Sequence, residues 1–169
     1  EMALELLLEW NMMFLASVQC IRNVETCLRS MEIDKIYLGD CLELMKEIPD
    51  ASIDCIICDL PYSVLNKRNV NAKWDRIIPF DPLWEQYERI TKENAAIILF
   101  GQGMFTARLM MSNPKHWKYN LIWQKGGRCS GFLNAKKMPL REHEDIVVFY
   151  RKQPIYNPQM RKCEPYERN

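Results

Sequence analysis

The sequence predicts a doubly wound α/β fold, and three observations carry that prediction. Short runs rich in Ile, Leu, Val and aromatic residues recur at 53–58, 95–100, 119–124 and 145–150. Segments with apolar residues at helical spacing lie between them. The chain has 169 residues, enough to bury a real core in one domain. Strand, helix, strand, helix, strand, helix and then two strands is the order of a doubly wound sheet.

Taken in order, Leu4 to Val18 is largely apolar but carries Glu5 and Glu9. It is shorter than a membrane span and lacks the basic start of a signal peptide. Residues 1–30 therefore read as a segment apart, helical in pattern and without assigned role, and Met31 opens a more regular pattern. Lys35–Asp40 reads as a short strand ending in Gly39-Asp40. Leu42, Met45 and Ile48 share one side of a helix over 41–48, with Asp40 placed to cap it. Pro49–Ser52 is a turn. Ile53 to Cys58 suits a buried parallel strand that stops at an acid, Asp59. Leu60-Pro61-Tyr62 then turns the chain and presents an aromatic ring just past the strand end. Ser63 to Lys73 is polar, with Lys67 and Arg68, and reads as a mobile loop over that end. Asp81 and Pro82 start a predicted helix that runs to about Lys92. Ala95–Phe100 is the next strand, Gly101-Gln102-Gly103 turns into a helix around Phe105–Met111, and Tyr119–Gln124 and Asp145–Tyr150 are the last strands. The tail from Gln153 shows no strong periodicity.

The net charge of +1 carries no information about partners, but its distribution does. No acidic residue lies between Glu93 and Glu142, a span that holds Arg108, Lys115, Lys118, Lys125, Arg128, Lys136, Lys137 and Arg141. With Trp117, Tyr119, Trp123 and Phe132 interleaved, it reads either as a nucleic-acid face or as ordinary solvated surface. The seven cysteines have no framework spacing and point to free thiols in a cytosolic protein. Cys55 and Cys58 match C-x-x-C, but inside a strand they point to opposite faces, so they read as buried small hydrophobes. His116 and His143 are the only histidines and no ligand cluster surrounds them, so no metal site is predicted.

In open α/β sheets chemistry sits beyond the carboxyl ends of the strands. There Asp59-Leu60-Pro61-Tyr62 resembles the D-P-P-Y signature of DNA amino-methyltransferases, which methylate N6 of adenine or N4 of cytosine. Gly39-Asp40-Cys41-Leu42-Glu43, Trp74-Asp75, Ile98-Leu99-Phe100-Gly101, Ile122-Trp123-Gln124-Lys125 and Arg141-Glu142-His143-Glu144 resemble further motifs of that family, in order, over about residues 33–160. The subgroup it resembles places the catalytic motif ahead of the cofactor loop.

The resemblance implies an S-adenosylmethionine-dependent, Rossmann-like methyltransferase sheet acting on double-stranded DNA, in a bacterial or phage-encoded cytoplasmic protein. It implies that residues 31–160 are the catalytic half of the domain. Residues 161–169 would lead to a missing C-terminal part, because the family's F-x-G-x-G cofactor loop is expected after the recognition region. Phe100-Gly101-Gln102-Gly103 resembles such a loop only superficially and suits a catalytic-half strand end better. The sheet is therefore expected to be incomplete, with open strand edges, low stability and no methylation by this chain alone. By resemblance Asp59 and the Leu60 carbonyl accept the hydrogens of the target amine, Pro61 aims that carbonyl, and Tyr62 stacks on a flipped base. Asp40 and Asp59 fall on cofactor-contacting positions, although Asp40 also reads simply as an N-cap. Lys125, Arg128, Lys136, Lys137 and Arg141 are the candidate DNA contacts. The favoured reading is an adenine-N6 methyltransferase. N4-cytosine methylation, a non-catalytic DNA-binding remnant and methylation of RNA or a protein amide are the alternatives; relatives of the last kind usually carry Asn where Asp59 stands.

Overall fold

The computed structural model describes residues 34–65, 74–127, 129–160 and 162. The N-terminal segment 1–30, most of the polar loop 63–73, Arg128 and nearly all of the 161–169 tail lie outside the described residues.

Among the described residues the expected strand at 35–40 is reduced to a single bridge residue, Leu38. Ile36 and Leu38 are both 72% exposed, so an alternating pattern here finds no face to bury. The helix after it does form: α1 (Cys41–Leu44) continues as a 3-10 turn over Met45–Glu47. Asp40 caps it, its Oδ1 accepting the Leu42 backbone N–H at 2.8 Å. Strand β1 (Ile53–Asp59) follows, then α2 (Phe80–Ile90) and β2 (Thr91–Gly101). Helix α2 starts earlier than the Asp81 cap predicts. Pro79 is the N-cap, and Pro82 sits in the first turn, where its missing N–H costs nothing. Helix α3 (Met104–Ser112), β3 (Trp117–Gln124), a 3-10 turn at Phe132–Asn134 and β4 (His143–Tyr150) complete the described chain.

The sheet order is β1-β2-β4-β3. β1 pairs in parallel with β2, as expected for a buried apolar strand, from Cys55 opposite Ala96 to Asp59 opposite Phe100. β4 lies between β2 and β3 and is antiparallel to both. The carboxyl ends of β1, β2 and β3 and the amino end of β4 therefore share one edge of the sheet.

Period-two alternation sorts the side chains. Ile56, Cys58, Ile97, Leu99, Val147 and Phe149 face a core completed by Leu83, Trp84, Tyr87 and Ile90 of α2 and by Phe105 and Leu109 of α3. Trp84 packs on Phe149 at 4.8 Å between centroids and donates its Nε1–H to Ser112 Oγ at 2.8 Å, tying α2 to the sheet and to α3. The other face carries Ile57, Tyr119, Leu121 and Trp123, all exposed, beside half-buried Ile98, Phe100 and Ile146. Among the described residues the helices pack against the first face alone. Truncation should separate the two faces. Leu99→Ala, at a fully buried position, is expected to cost about 2–5 kcal/mol, whereas Leu121→Ala should stay within about 0.5 kcal/mol; urea denaturation of both variants checks this.

Candidate active site

Asp59 is the last residue of β1. Its neighbours Cys58 and Leu60 are buried, 6% and 5% exposed, and Pro61 is buried beside them. The turn is thus anchored in the core on both sides of the acid, while the carboxylate stays at the rim. Tyr62 folds back over it: the phenol donates to Asp59 Oδ1 at 2.6 Å. The Tyr62 ring stacks on Phe105 at 4.7 Å with a 30° interplanar angle, and Phe80 tilts against Phe105 at 6.2 Å.

This environment sets the protonation states. Burial, then the hydrogen bond to Asp59, push the Tyr62 phenol far above its usual range, so it stays a donor. Partial burial against the apolar strand end raises Asp59 above the ordinary carboxylate range. The Tyr62 donor and Lys125 oppose that shift, and Glu144 adds to it. Burial likewise pushes the Cys58 thiol up to about 11, as suits a core residue. Cys55, half-buried on the opposite face, is also raised.

The turn beyond Tyr62 is held by a residue that sequence reasoning placed in a motif without a role. Ser63 has φ 60, a left-handed conformation that a side chain disfavours. Its N–H donates to Asp75 Oδ1 at 2.8 Å, and the Leu65 N–H donates to Oδ2 at 2.5 Å. Asp75 is 3% exposed. A buried carboxylate spending both oxygens on backbone donors is a built clamp, and it compensates for the strained turn.

The second wall is the β2 end. At Gly101 a methyl group would come within 2.9 Å of Thr106 Oγ1 and 3.3 Å of its Cα, so the bare backbone lets α3 turn tightly off the strand. Thr106 Oγ1 in turn donates to Asp145 Oδ2 at 2.7 Å, tying α3 to β4. Gly103 has φ 59, and the Arg141 guanidinium nitrogens lie 3.7 Å from the position a Cβ would take there. The third wall is the end of the β3–β4 pair. Lys125 Nζ forms an ion pair with Glu144 Oε1 and lies 5.1 Å above the Trp123 ring, which meets Phe100 edge-on at 6.0 Å.

Among the predicted residues, Asp59, Leu60, Pro61 and Tyr62 form one unit, and Lys125 stands on the same edge of the sheet. Arg141 reaches the β2–α3 turn. Lys136 and Lys137 are exposed in the 125–141 loop, and Arg128 lies outside the described residues. Asp40 is exposed, with one oxygen engaged in capping. Its neighbour Cys41 is buried in the same core cluster as Cys58, so α1 packs near β1. Among the described residues no group of His, Cys, Asp and Glu forms a metal cluster, and no helix is long and apolar enough to cross a membrane.

The mixed sheet, with its antiparallel last pair, is an α/β fold of the kind found in a solved DNA methyltransferase, and the described residues form a part of it. Two solved structures share this fold. PvuII DNA methyltransferase, described as cytosine-N4-specific, aligns with 70% of this chain and 49% of its own, at 13% identity and a TM-score of 0.52. A complex of M1.HpyAVI with SAM aligns with 76% of this chain and 62% of its own, at 16% identity and a TM-score of 0.51. In sequence the chain is similar to type II DNA methyltransferases. It is 30% identical to M.HinfI of Haemophilus influenzae over 121 residues, 59% of this chain and 34% of that protein. It is 46% identical to M.BamHI of Bacillus amyloliquefaciens over 33 residues, 20% of this chain and 8% of that protein. The chain thus spans about a third or less of the curated relatives it matches. No family model matches it.

Asp75→Ala is expected to lower stability by about 2–4 kcal/mol and to speed hydrogen exchange at the Ser63 and Leu65 amides; exchange rates equal to those of the native chain would exclude the clamp. Asp59 gives a pH signature. Its folded carboxyl is raised, so the folded state holds its proton longer than the unfolded one, and the stability tied to that proton falls as pH rises through this window. Asp59→Asn should therefore raise the melting temperature at neutral pH, with the gain vanishing below about pH 3.

Proposed function

We propose that this chain carries the catalytic core of a DNA methyltransferase that transfers a methyl group from S-adenosylmethionine to N6 of an adenine flipped out of duplex DNA. The observation that carries the reading is the Asp59–Tyr62 turn: an acceptor carboxylate and an aromatic ring held at the carboxyl end of β1 by buried Cys58, Leu60 and Pro61. The likeness to type II DNA methyltransferases supports it.

The exocyclic amine of adenine is a poor nucleophile because its lone pair is delocalised into the ring. The Asp59 carboxylate and the Leu60 carbonyl accept its two hydrogens and draw the nitrogen toward a tetrahedral form. Pro61 fixes the backbone between them. Tyr62, backed by Phe105, offers a rigid face on which the base stacks, worth about 1–3 kcal/mol. Its hydroxyl occupies one oxygen of Asp59 and leaves Oδ2 to the amine. Positioning and electrostatics supply the rate, and no covalent intermediate on the protein is needed. S-adenosylmethionine, when bound, supplies an electrophilic methyl on a sulfonium. A carboxylate beside stacked aromatic rings suits that cation, so Asp59 would hold it, while Asp40 would contact the adenosine part of the cofactor. The cofactor-binding strands of the working enzyme would join β1, which is the first strand in the sheet order, so that residues 34–160 act with a further half. Lys136, Lys137 and Arg141, with Arg128, would contact backbone phosphates. The setting is a bacterial or phage-encoded cytoplasmic protein, restriction-linked in the manner that type II relatives suggest.

N4-cytosine transfer is the second reading, favoured by the fold shared with a cytosine-N4-specific enzyme. One experiment separates them. Residues 34–160 replace the matching region of M.HinfI, and the chimera is given duplex DNA and methyl-labelled S-adenosylmethionine. Labelled N6-methyladenine is expected, reduced at least about 100-fold by Asp59→Ala. Labelled N4-methylcytosine would support the second reading. DNA binding without transfer, unaffected by Asp59→Ala, would sink both.

A further inference from the structure

Lys125 lies in the basic span and reads from sequence as a phosphate contact, yet its surroundings differ from those of Lys136 and Lys137. Its side chain is 25% exposed and its ammonium is paired with Glu144, itself 17% exposed. Both residues stand on the sheet edge where β1 ends. A continuous set of contacts links them to the acid: Asp59 is opposite Phe100 in the β1–β2 register, Phe100 meets Trp123 edge-on, and Trp123 lies under the Lys125 ammonium. Trp123 is also opposite Glu144 in the β3–β4 register.

We propose that Lys125 and Glu144 are positioning residues of the active site: a partly buried ion pair that balances the charge around Asp59, in place of a DNA-backbone contact by Lys125. The inference rests on the reading of Asp59 as the amine acceptor. That role needs Asp59 ionised, and an acceptor carboxylate with an unpaired second carboxylate nearby would resist ionisation. Lys125 neutralises Glu144 and keeps that carboxylate from acting alone. Among the described residues the charged and hydrogen-bonding groups that act on Asp59 are Tyr62, Glu144 and Lys125, and the last two act on it with opposite sign. A lysine already tied to a carboxylate is also poorly offered to phosphate, because binding there would break the pair.

The test is a carbon-13 NMR titration of the Asp59 side-chain carboxyl in the 169-residue chain, with Asp59→Asn assigning the resonance. Lys125→Met is expected to raise the Asp59 midpoint by about half a unit, and Glu144→Gln to lower it by a similar amount. Midpoints that stay put in both variants, or that move in the same direction, overturn the proposal. If either single variant fails to fold, the swapped chain Lys125→Glu with Glu144→Lys keeps a neutral pair and sets the cation at position 144. Its Asp59 midpoint should fall below that of the native chain, and an unchanged midpoint overturns the proposal equally. The titration needs no methyl transfer, so a failure of the methyltransferase reading shows in the label experiment and leaves this result to stand or fall separately.

Discussion

The register between β1 and β2 is the constraint on which the rest depends. Five consecutive parallel pairs run from Cys55 opposite Ala96 to Asp59 opposite Phe100. Because side chains alternate at every residue, a slip of one position would swap Asp59 with Cys58 between the faces. A carboxylate would then enter the core beside Tyr87, and a cysteine would stand at the rim. Burial of Ile56 and Cys58 against α2 makes that slip costly, so the same apolar contacts that stabilise the sheet also aim the acid. The register shifts between Ile53 and Cys55, from Ile53 opposite Thr91 to Cys55 opposite Ala96, at the far end away from the site.

Around that fixed acid the structure spends polar interactions in layers. Tyr62 donates directly to Asp59, Asp75 holds the turn that carries Tyr62, and Thr106 with Asp145 holds the helix that carries Phe105. Each layer is formed between residues distant in sequence, apart from the first. The stacked Tyr62 and Phe105 rings join the β1 turn to the helix that follows the β2 end, so the two form one surface at the sheet edge. Such support fits a site that must present an acceptor and a flat face with little reorganisation.

The parts of this arrangement that were legible in the sequence are those set by local pattern. The apolar run ending in Asp59, the turn at Leu60–Tyr62, the Asp40 cap and four of the five expected strands follow from neighbouring residues alone. Lys35–Asp40 is no named strand because alternation shows only that a strand could bury one face; among the described residues only Leu38 makes a bridge, and Ile36 and Leu38 stay exposed. The start of α2 was misplaced because Asp81-Pro82 satisfies the cap pattern as well as Pro79 does. Asp75 and Glu144 were invisible as site residues for a different reason. Their partners lie 10 to 19 residues away, and only the folded chain shows that the first is sunk beneath the turn and the second faces Lys125.

The exposed sheet face bears on how the site can work. Ile57, Tyr119, Leu121 and Trp123 present apolar surface there, and β1 offers the free edge of the terminal strand in the described sheet order. An apolar face next to an open edge is costly in water and favours further pairing. Asp59 stands on this same face, at the end of this same strand. Whatever extends the sheet past β1 would therefore come to lie against the acid. On the proposed reading, a methyl donor would have to approach from a direction that Tyr62, Phe105 and the β2–α3 turn do not already fill. The edge of β1 that is unpaired in the described sheet order would leave room for it.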